Sequence, residues 1–478
     1  MNDSPITYWP NLADDPQLSD HQKAAIAAAT SAKLGILTGG PGTGKTFIVA
    51  SLLKRIIRQF GNHQVRVCAP TGKASVRAGE SLRAQGVDIR ATTIHSLLEI
   101  GRNGHDGDGW GFERNANNPL EARFVIIDEY SMVDTSLASD LLEAIADGTH
   151  VLIVGDPHQL PPVGHGSPLR DMLAANVNHG ELTEVRRNAG TIVEACAAIK
   201  AGTPIGDCDA IDLAAEKPLN LRFFECGQVD VPETLFELLK SFKRFDPRWD
   251  TQIITALNDK SDCSRKKLND RLCGLLNPDG KKAAPNLFAV GDKIICTRNT
   301  MLKTCEYRSR SSHPDQVSEP NNYASADPAK WPAEWYVANG ELGRVIAVNV
   351  KESVVRFGGD DVPCVKVPVR KPKEGESGDD FAGGAAGDFE HAWAITVHKS
   401  QGSEWPCVIC IVDDAAGAIA DRNYWYTAIS RAKKLCLLIG PRGTFEKQVK
   451  RQSMNRRRTF LADLIREGSA KFEAVGAA

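Results

Sequence analysis

The segment Leu34-Gly-Ile-Leu-Thr-Gly-Gly-Pro-Gly-Thr-Gly-Lys45-Thr46 decides the fold class of this chain. It opens with an apolar run typical of a buried strand and continues with residues that fit the phosphate-binding pattern G-x-x-x-x-G-K-[ST]. Apolar side chains then recur at helical spacing up to Gly61, a residue suited to end a helix: Phe47, Ile48, Leu52, Ile56 and Phe60. A strand, a glycine-rich loop and a helix in this order support a phosphate site.

This loop predicts a nucleotide site that holds ATP and Mg²⁺. Glycines let consecutive backbone N–H groups turn toward phosphate oxygens, and the start of the helix adds partial positive charge. We expect Lys45 to reach the β and γ phosphates and Thr46 to ligate Mg²⁺. The loop residues predicted to bind the nucleotide are Gly39, Gly40, Pro41, Gly42, Thr43, Gly44, Lys45 and Thr46.

A pair of carboxylates, Asp128 and Glu129, directly follows the apolar run Phe124-Val-Ile-Ile127. In α/β folds, ligands bind at the carboxyl ends of buried strands. We therefore expect Asp128 to hold Mg²⁺, directly or through water, and Glu129 to orient and deprotonate an attacking water. Both sites indicate NTP binding or hydrolysis, but neither indicates what the hydrolysis drives.

Short apolar runs alternate with helical patterns in both halves of the chain, which predicts an α/β fold with doubly wound parallel sheets. The runs that predict strands start at Leu34, Val65, Phe124, Val151, Gln252, Ala394, Val408 and Leu435. Residues 286–380 differ, because their short alternating runs and the turn signal Asn339-Gly340 favour a small antiparallel barrel. Residues 99–121, with Trp110 and Phe112 near their centre, are compatible with a protruding hairpin.

Composition excludes several classes of protein. The 478 residues are 42% hydrophobic and 25% charged, as in ordinary globular proteins, and no apolar run is long enough to span a membrane. The start of the chain lacks the features of a signal peptide, so we expect a cytoplasmic protein, in a bacterial cytosol or that of a phage host.

The net charge of −2 hides an uneven distribution. Residues 21–60 carry six basic side chains and no acidic one, and residues 421–478 carry thirteen basic against five acidic. Residues 101–150 carry three basic against ten acidic side chains. A polyanionic partner is therefore compatible with the neutral average.

The twelve cysteines favour buried free thiols over a metal centre. The only Cys-x-x-Cys, Cys407 to Cys410, lies inside an apolar run, and no second pair completes a four-ligand site. A reducing compartment accounts for scattered unpaired cysteines.

Further motifs indicate what the nucleotide drives. Val154-Gly-Asp-Pro-His-Gln-Leu-Pro-Pro-Val-Gly164, Thr396-Val-His-Lys-Ser-Gln-Gly-Ser-Glu404 and Tyr426-Thr-Ala-Ile-Ser-Arg-Ala-Lys-Lys434 occur in this order. Together with Ala69-Pro-Thr-Gly-Lys-Ala74, Ala91-Thr-Thr-Ile-His-Ser96 and Asp128-Glu-Tyr-Ser-Met-Val-Asp134, they resemble the motifs of RecD-like DNA helicases. That family belongs to the B branch of superfamily 1 and is related to the Dda-type phage helicases. The resemblance runs from about Leu18 to Gly440.

The resemblance assigns further roles at the nucleotide site. Gln22 resembles the glutamine that reads the adenine edge, and Gln159 the γ-phosphate sensor. Arg187 resembles the arginine of the fourth motif and Arg431 the arginine finger of the sixth. Glu404, with Gly402 beside it, resembles the carboxylate that holds the ribose. Residues implied to line the single-strand track are Thr71, Lys73, Thr93, His95, Thr396 and His398.

The same resemblance implies two RecA-like P-loop domains. The first covers 1–185 with a short pin-like insert at 99–121. The second covers 186–285 and 381–445, with an inserted SH3-like β-barrel at 286–380. A basic tail covers 446–478 and either touches phosphates or forms a solvated helix face. The sequence departs from the family at Tyr130, where a small residue is usual, and at Asn188, where glutamine is usual. The short pin makes strand separation a weaker expectation than translocation.

We therefore expect a monomeric, ATP- and Mg²⁺-dependent DNA helicase that binds single strands and their junctions with duplex. A 5′→3′ direction and a single-strand-binding, recombination or replication protein as partner follow from the resemblance alone. Alternatives that stay open are a translocase that does not separate strands, a nucleotide-gated subunit of a recombination or nuclease assembly, and an RNA helicase. Trp331, Trp335 and Tyr336 either stack on bases or, the favoured interpretation, anchor the barrel.

Overall fold

The computed structural model describes residues 9–101, 111–185, 190–206, 208–241, 243–284, 286–306, 324–325, 331–358, 362–369, 387–417, 419–453, 457 and 459–476. Arg187 and Trp110 lie outside these residues, so the predictions that concern them have no structural counterpart. Within the described part of the chain, no helix is long and apolar enough to cross a membrane.

The chain forms two compact units. The first comprises Met1–Asn220, Ala420–Lys433 and Glu446–Ala478, and the second comprises Leu221–Ile419 and Lys434–Phe445. These limits differ from the predicted boundaries at 185 and 445. Ala420–Lys433 and Glu446–Ala478 belong to the first unit. The helix in the first of these segments is hydrogen-bonded to residues 158–160. The predicted domain boundaries stay predictions.

The first unit is built on a six-stranded sheet of parallel pairs. Its elements are α1 (Asp20–Ala29), β1 (Leu34–Gly39), α2 (Lys45–Phe60), β2 (Val65–Ala69), α3 (Gly72–Ala84), β3 (Ala91–Thr93), α4 (Ile94–Leu97), β4 (Ile100–Gly101), β5 (Gly111–Phe112), β6 (Phe124–Ile127), α5 (Thr135–Glu143), β7 (His150–Gly155), α6 (Pro168–Ala174), β8 (His179–Leu182) and α7 (Thr191–Ala201). The strand order is β3-β2-β6-β7-β1-β8. The strands predicted from Leu34, Val65, Phe124 and Val151 are confirmed as β1, β2, β6 and β7.

Uninterrupted runs of apolar residues explain why the central strands are buried on both faces. Every residue of β6 and β7 is buried, as expected for a parallel sheet covered on both faces. Helix α2 ends at Phe60, and Gly61 follows with φ of 85°, a conformation that glycine adopts without strain. The predicted helix and its end are therefore confirmed.

A two-stranded antiparallel pair, β4 with β5, joins Ile100 to Phe112 and Gly101 to Gly111. It lies inside the segment 99–121 that the sequence predicts to form a hairpin, and it is paired as that prediction requires. Residues 102–110 between the two strands lie outside the described part of the chain.

The second unit combines a parallel and an antiparallel sheet. Its elements are β9 (Leu221–Glu225), α8 (Val231–Ser241), β10 (Thr251–Thr255), α9 (Arg265–Leu276), β11 (Lys293–Cys296), β12 (Thr300–Glu306), β13 (Ala324–Ser325), β14 (Glu334–Val337), β15 (Leu342–Val348), β16 (Glu352–Phe357), β17 (Cys364–Pro368), β18 (Phe389–His391), β19 (Ala394–Thr396), α10 (Val397–Ser400) and β20 (Trp405–Ile411). After α11 (Arg422–Ile429), which belongs to the first unit, come β21 (Ala432–Gly440), α12 (Arg442–Lys450) and α13 (Leu461–Gly476).

The parallel sheet of the second unit has the order β19-β10-β20-β21-β9. Its strands β10, β19, β20 and β21 are those predicted from the apolar runs that begin near Gln252, Ala394, Val408 and Leu435. The α/β fold class with parallel sheets in both halves is therefore confirmed.

The antiparallel sheet occupies most of the range 286–380 where the sequence predicts a barrel, and it extends beyond residue 380 because its strand β18 is Phe389–His391. Its order is β13-β12-β17-β16-β15-β11-β18, and β14 pairs with β12. Its core contains Phe288, Ile294, Val345, Val355 and Phe357, all 1% exposed or less. The described pairs leave β13 and β18 at opposite ends of the sheet, so the closed SH3-like barrel stays a prediction.

Candidate active site

The loop between β1 and α2 is stabilised by hydrogen bonds from Lys45 to two of its carbonyl groups. Lys45 Nζ donates to the carbonyl oxygens of Gly39 at 2.7 Å and Gly40 at 3.0 Å. Gly42 and Gly44 have φ of 76° and 91°, in the left-handed region that favours glycine. The Lys45 ammonium therefore lies against the loop, where a phosphate would accept the same hydrogen bonds.

Two glycines of the loop have no room for a side chain. A methyl group on Gly39 would lie 2.7 Å from Thr43 Oγ1, and one on Gly44 would lie 2.8 Å from Gln22 Nε2. The Thr43 hydroxyl is buried and donates to the Gly40 carbonyl at 2.8 Å. The predicted loop residues thus form one tightly packed cradle, with Thr46 in the first turn of α2.

Asp128 and Glu129 form a partly buried carboxylate pair after β6. Asp128 Oδ1 accepts from the backbone N–H of Glu129 at 2.9 Å, and Glu129 has a strained φ of 52°. Burial raises the pKa of Asp128, although the Glu129 N–H and the Lys45 charge act in the opposite direction. Burial and the Asp128 charge raise the pKa of Glu129, against the opposing charges of Arg431 and Lys45. Two neighbouring carboxylates that are partly removed from water repel each other, and a cation between them would offset this cost.

The donor set fits a divalent cation. Thr46 and Asp128 both border one small cavity beside α2 and are therefore close together, and both offer oxygen ligands of the kind that Mg²⁺ prefers. The other residues that line this cavity are apolar, so only its Thr46–Asp128 edge is suited to a cation. Among the described residues, no group of three or more histidine, cysteine, aspartate or glutamate side chains could hold a metal. A site with one carboxylate and one hydroxyl is instead typical of Mg²⁺ that is also bound by phosphates.

Arg431 and Gln159 meet across a long stretch of sequence. Arg431 Nη2 donates to Gln159 Oε1 at 3.1 Å, and Arg431 Nε donates to the Thr427 carbonyl at 3.0 Å. Both side chains are buried, at 3% and 4% exposure. The sequence placed them in separate motifs, and the fold brings them together with Glu129, whose carboxylate the Arg431 charge stabilises.

Helix α11 is docked on the loop after β7 through polar contacts. Asn423 Nδ2 donates to the carbonyls of His158 at 2.8 Å and Gln159 at 3.2 Å. The Leu160 N–H donates to Thr427 Oγ1 at 2.9 Å. Because Asn423 and Thr427 are one helical turn apart, they present the same face of α11 to the loop. This docking fixes Arg431 at the end of the helix.

Tyr426 and Asp156 complete the contact between α11 and this loop. The Tyr426 hydroxyl donates to Asp156 Oδ2 at 2.8 Å, and burial followed by the Asp156 charge raises the pKa of Tyr426. Sequence reasoning assigned no role to Asp156, Asn423, Tyr426 or Thr427. Each lies in or beside a motif, which is the available signal, but the spacing of one sequence does not show contacts about 270 residues apart.

Gln22 is buried against the loop but is partly used by its own helix. Its Oε1 accepts from the Ser19 N–H at 3.1 Å, and Ser19 Oγ accepts from the Gln22 N–H, which is a capping box at the start of α1. The predicted adenine-reading residue therefore has an engaged carbonyl oxygen, while its Nε2 faces Gly44.

Four of the residues predicted to contact a single strand lie at the ends of β2 and β3. Thr71 and Thr93 cap α3 and α4 by accepting from the N–H groups of Ala74 and Ser96. Lys73 is buried at 8% exposure, whereas His95 is exposed and lies 5.8 Å from the Phe112 ring. His95 is thus not a core histidine. Neighbouring parallel strands end at one edge of the sheet, so these residues share that edge.

The remaining predicted site residues belong to the second unit. Thr396 is buried at the start of α10, and His398 on that helix is exposed. Gly402, with φ of 69°, and Glu404 lie between α10 and β20. Trp331 meets Trp335 edge to face at 6.0 Å, and Trp335 packs on the core of the antiparallel sheet, which agrees with the favoured interpretation for Trp335. Tyr336 is 39% exposed, so base stacking stays open for this residue.

Nine of the twelve cysteines are buried, all twelve are free, and Cys196, Cys226 and Cys273 are partly exposed. Burial raises the pKa of Cys68 to about 12, and of Cys407 likewise. The prediction of unpaired thiols is confirmed, with three of them less buried than expected.

Two protein-family models match separate parts of this chain. An AAA domain matches residues 17–218, and a UvrD-like helicase C-terminal domain matches residues 391–439. The first range contains the phosphate-binding loop and Gln159, and the second contains His398 and Arg431.

Curated relatives match almost the whole chain. The RecBCD enzyme subunit RecD of Buchnera aphidicola subsp. Schizaphis graminum is 32% identical over 482 residues, which cover 90% of this chain and 74% of the relative. The ATP-dependent RecD2 DNA helicase of Deinococcus radiodurans is 28% identical over 456 residues, which cover 94% of this chain and 52% of the relative. The chain thus spans about half the length of the second protein. A Pif1 helicase from Bacteroides, solved with ADP-AlF3 and ssDNA, is 20% identical with a TM-score of 0.47, and the match covers 88% of this chain and 91% of that one.

Proposed function

The chain belongs to the RecD-like family of superfamily 1 helicases, and we propose that it hydrolyses ATP with Mg²⁺ to move along single-stranded DNA and unwind duplex DNA. The observation that carries this proposal is the contact of Arg431 with Gln159 beside the Glu129 carboxylate. A cation from outside the phosphate-binding loop is what phosphoryl transfer requires for its developing charge.

In the proposed reaction, each side chain has a separate task. Glu129 accepts a proton from the attacking water at a carboxylate oxygen, for which its raised pKa suits it. Lys45 exchanges its two loop carbonyls for phosphate oxygens. Arg431 neutralises charge on the transferred phosphoryl group. Gln159 contacts that group, so its loss after hydrolysis changes the position of the loop after β7. Thr46 and Asp128 would hold Mg²⁺, which supplies charge neutralisation between the phosphates.

The remaining predicted residues complete this proposal. Arg187 would supply a second arginine, and Gln22, Gly402 and Glu404 would hold the nucleoside. Single-stranded DNA would lie on residues at the carboxyl ends of strands: Thr71, Lys73, Thr93, His95, Thr396 and His398. We propose a 5′→3′ direction and binding at junctions, with the β4–β5 hairpin as the pin that meets the duplex.

The first test is whether single-stranded DNA stimulates ATP hydrolysis by the purified chain. We expect stimulation in wild type and in Glu80→Gln, an exposed glutamate of α3, and its loss in Glu129→Gln. The cost of losing a general base is about 10²–10⁴-fold. Equal hydrolysis by wild type and Glu129→Gln would contradict the assignment of this site. Replacing the DNA with RNA separates the two nucleic acids.

A second candidate is a nucleotide-gated subunit of a recombination assembly. The relatives named as RecBCD enzyme subunits favour it, because such proteins act together with other chains. Autonomous DNA-stimulated hydrolysis by a monomer in the cytosol, which we propose, would argue against it. Hydrolysis only after addition of a partner from the same cell would favour it.

A further inference from the structure

A cavity beside the phosphate-binding loop is lined by a lysine side chain to which the sequence analysis assigned no role. The cavity measures about 170 Å³, and Gly40, Pro41 and Thr43 of the loop are among the residues that line it. It is also lined by Lys200, from the last turn of α7, and by Tyr426 from α11. All of these residues belong to the first unit.

Tyr426 directs the Lys200 ammonium toward the loop. Lys200 Nζ lies 5.2 Å from the centroid of the Tyr426 ring, within the range of a cation–π contact. The ring itself is fixed, because its hydroxyl donates to the buried Asp156 at 2.8 Å. A lysine side chain is otherwise flexible, so this contact restricts where its charge can lie.

The ammonium lies close to Gly40. A methyl group placed on Gly40 would lie 3.9 Å from Lys200 Nζ and 2.9 Å from the Tyr426 hydroxyl. Lys45 Nζ donates to the carbonyl of this same Gly40. Two lysines from different helices therefore approach one residue of the loop.

The Lys200 charge has no carboxylate partner within the described part of the chain. Glu181 lines the same cavity but forms no ion pair with it. The Lys200 charge also reaches His158, whose pKa is lowered first by burial and then by this lysine. A half-buried ammonium beside a phosphate-binding loop, without a protein anion, has the place and charge to bind a phosphate.

We propose that Lys200 binds the terminal phosphate of the nucleoside triphosphate at Gly40, and thereby makes the site prefer the triphosphate to the diphosphate. This inference rests on the proposed ATP hydrolysis at the same loop. Lys200 would act in addition to Lys45 and would lose its anion when the phosphate leaves.

The test compares binding of a non-hydrolysable ATP analogue and of ADP, both with Mg²⁺, by fluorescence titration. We expect Lys200→Gln to weaken binding of the analogue by about tenfold and of ADP by less than about twofold. Lys200→Arg should keep most of the preference, since it retains the charge. Lys217→Gln, at a lysine whose side chain is 83% exposed, is the matched control and should bind as wild type does.

Equal losses for the analogue and ADP, or no loss for either, would overturn the assignment of Lys200. If wild type binds both nucleotides while Lys200→Gln keeps the wild-type preference, only this inference fails. If wild type binds neither, the proposed function fails with it. Melting temperatures of the variants distinguish a local effect from misfolding, and Lys200→Met, which also removes the charge, replaces Lys200→Gln if that variant does not fold.

Discussion

At the scale of single residues, Arg431 is the side chain on which the proposed hydrolysis depends most. We expect Arg431→Ala to lower kcat for ATP hydrolysis by about 10³-fold or more, because the transferred phosphoryl group loses its external cation. Binding of ATP should weaken much less, since Lys45 and the loop remain. Steady-state hydrolysis and equilibrium binding measure the two effects. Joint loss of binding and hydrolysis would show that Arg431 is not the arginine finger.

A pH-dependent pair lies in the second unit, where His391 Nε2 meets Asp292 Oδ2 at 3.0 Å. Burial lowers the pKa of His391, but hydrogen bonds with Asp292 and Cys273 outweigh it and raise the pKa to about 9. A raised histidine pKa stabilises the fold fully below about 6.5 and loses that contribution as the pH rises through about 9. Asp292 is 2% exposed and also accepts from Asn277 at 2.7 Å.

We therefore expect Asp292→Asn to be less stable than wild type at pH 6.5, by about 3–5 kcal/mol, because it breaks a buried pair. The difference between the two proteins should shrink between pH 6.5 and 9. Lys293 next to Asp292 also titrates, since burial lowers its pKa to about 7, but it is present in both proteins and largely cancels in the comparison. Urea unfolding at several pH values measures the difference. A difference that stays constant with pH would contradict the assigned linkage.

The sequence predicted individual site residues where a motif states their chemistry. Lys45, Asp128 and Glu129 follow from strand ends and glycine spacing, and the structure places them together. The capping role of Gln22 could be anticipated from Ser19-Asp-His-Gln22, which has the spacing of a capping box. The Tyr426–Asp156 hydrogen bond could not, because nothing local in either segment specifies a partner so distant in the chain.

At the scale of elements, the end of the chain supports the loop that follows Gln159. Arg457 Nη1 donates to the carbonyls of Pro162 at 2.7 Å and Gly164 at 2.8 Å. Beyond it, the Thr459 hydroxyl donates to Asp171 of α6 at 2.6 Å. The basic tail thus has a structural role in the first unit, which neither interpretation offered by the sequence included.

We expect Arg457→Ala to lower the free energy of unfolding by about 1–3 kcal/mol, because these carbonyls lose a charged donor. Arg457→Lys should recover only part of this loss, since one ammonium cannot reproduce the guanidinium geometry. Lys450→Ala, at an exposed lysine of the same segment, is the control. Thermal unfolding measures all three variants. Equal melting temperatures for wild type and Arg457→Ala would show that the contact does not stabilise the unit.

The positions of strands and helices could be predicted from the sequence, but the unit to which each element belongs could not always be predicted. Continuous apolar runs such as Phe124–Ile127 indicate buried strands by themselves, because a parallel sheet buries both faces. Helix α11 joins the first unit through Asn423 and Thr427, whose partners lie about 265 residues away. A boundary drawn from local composition cannot include such a contact.

At the scale of the whole molecule, the net charge of −2 is compatible with a DNA partner. Phosphate contacts depend on where basic residues lie and not on their sum. In the proposed mechanism, Lys45 and Arg431 use part of the basic charge to bind the nucleotide. A motor that must release DNA at each step needs a local track and not a strongly basic surface.

The most direct test of the proposed motor is strand displacement on DNA duplexes that carry a 5′ or a 3′ single-stranded tail, with ATP and Mg²⁺. We expect the wild-type chain to displace the strand from the 5′-tailed duplex, and Lys45→Ala to displace neither. ATP hydrolysis without displacement would indicate a translocase that does not separate strands. Unwinding only from the 3′ tail, or unwinding that persists in Lys45→Ala, would contradict the proposed function.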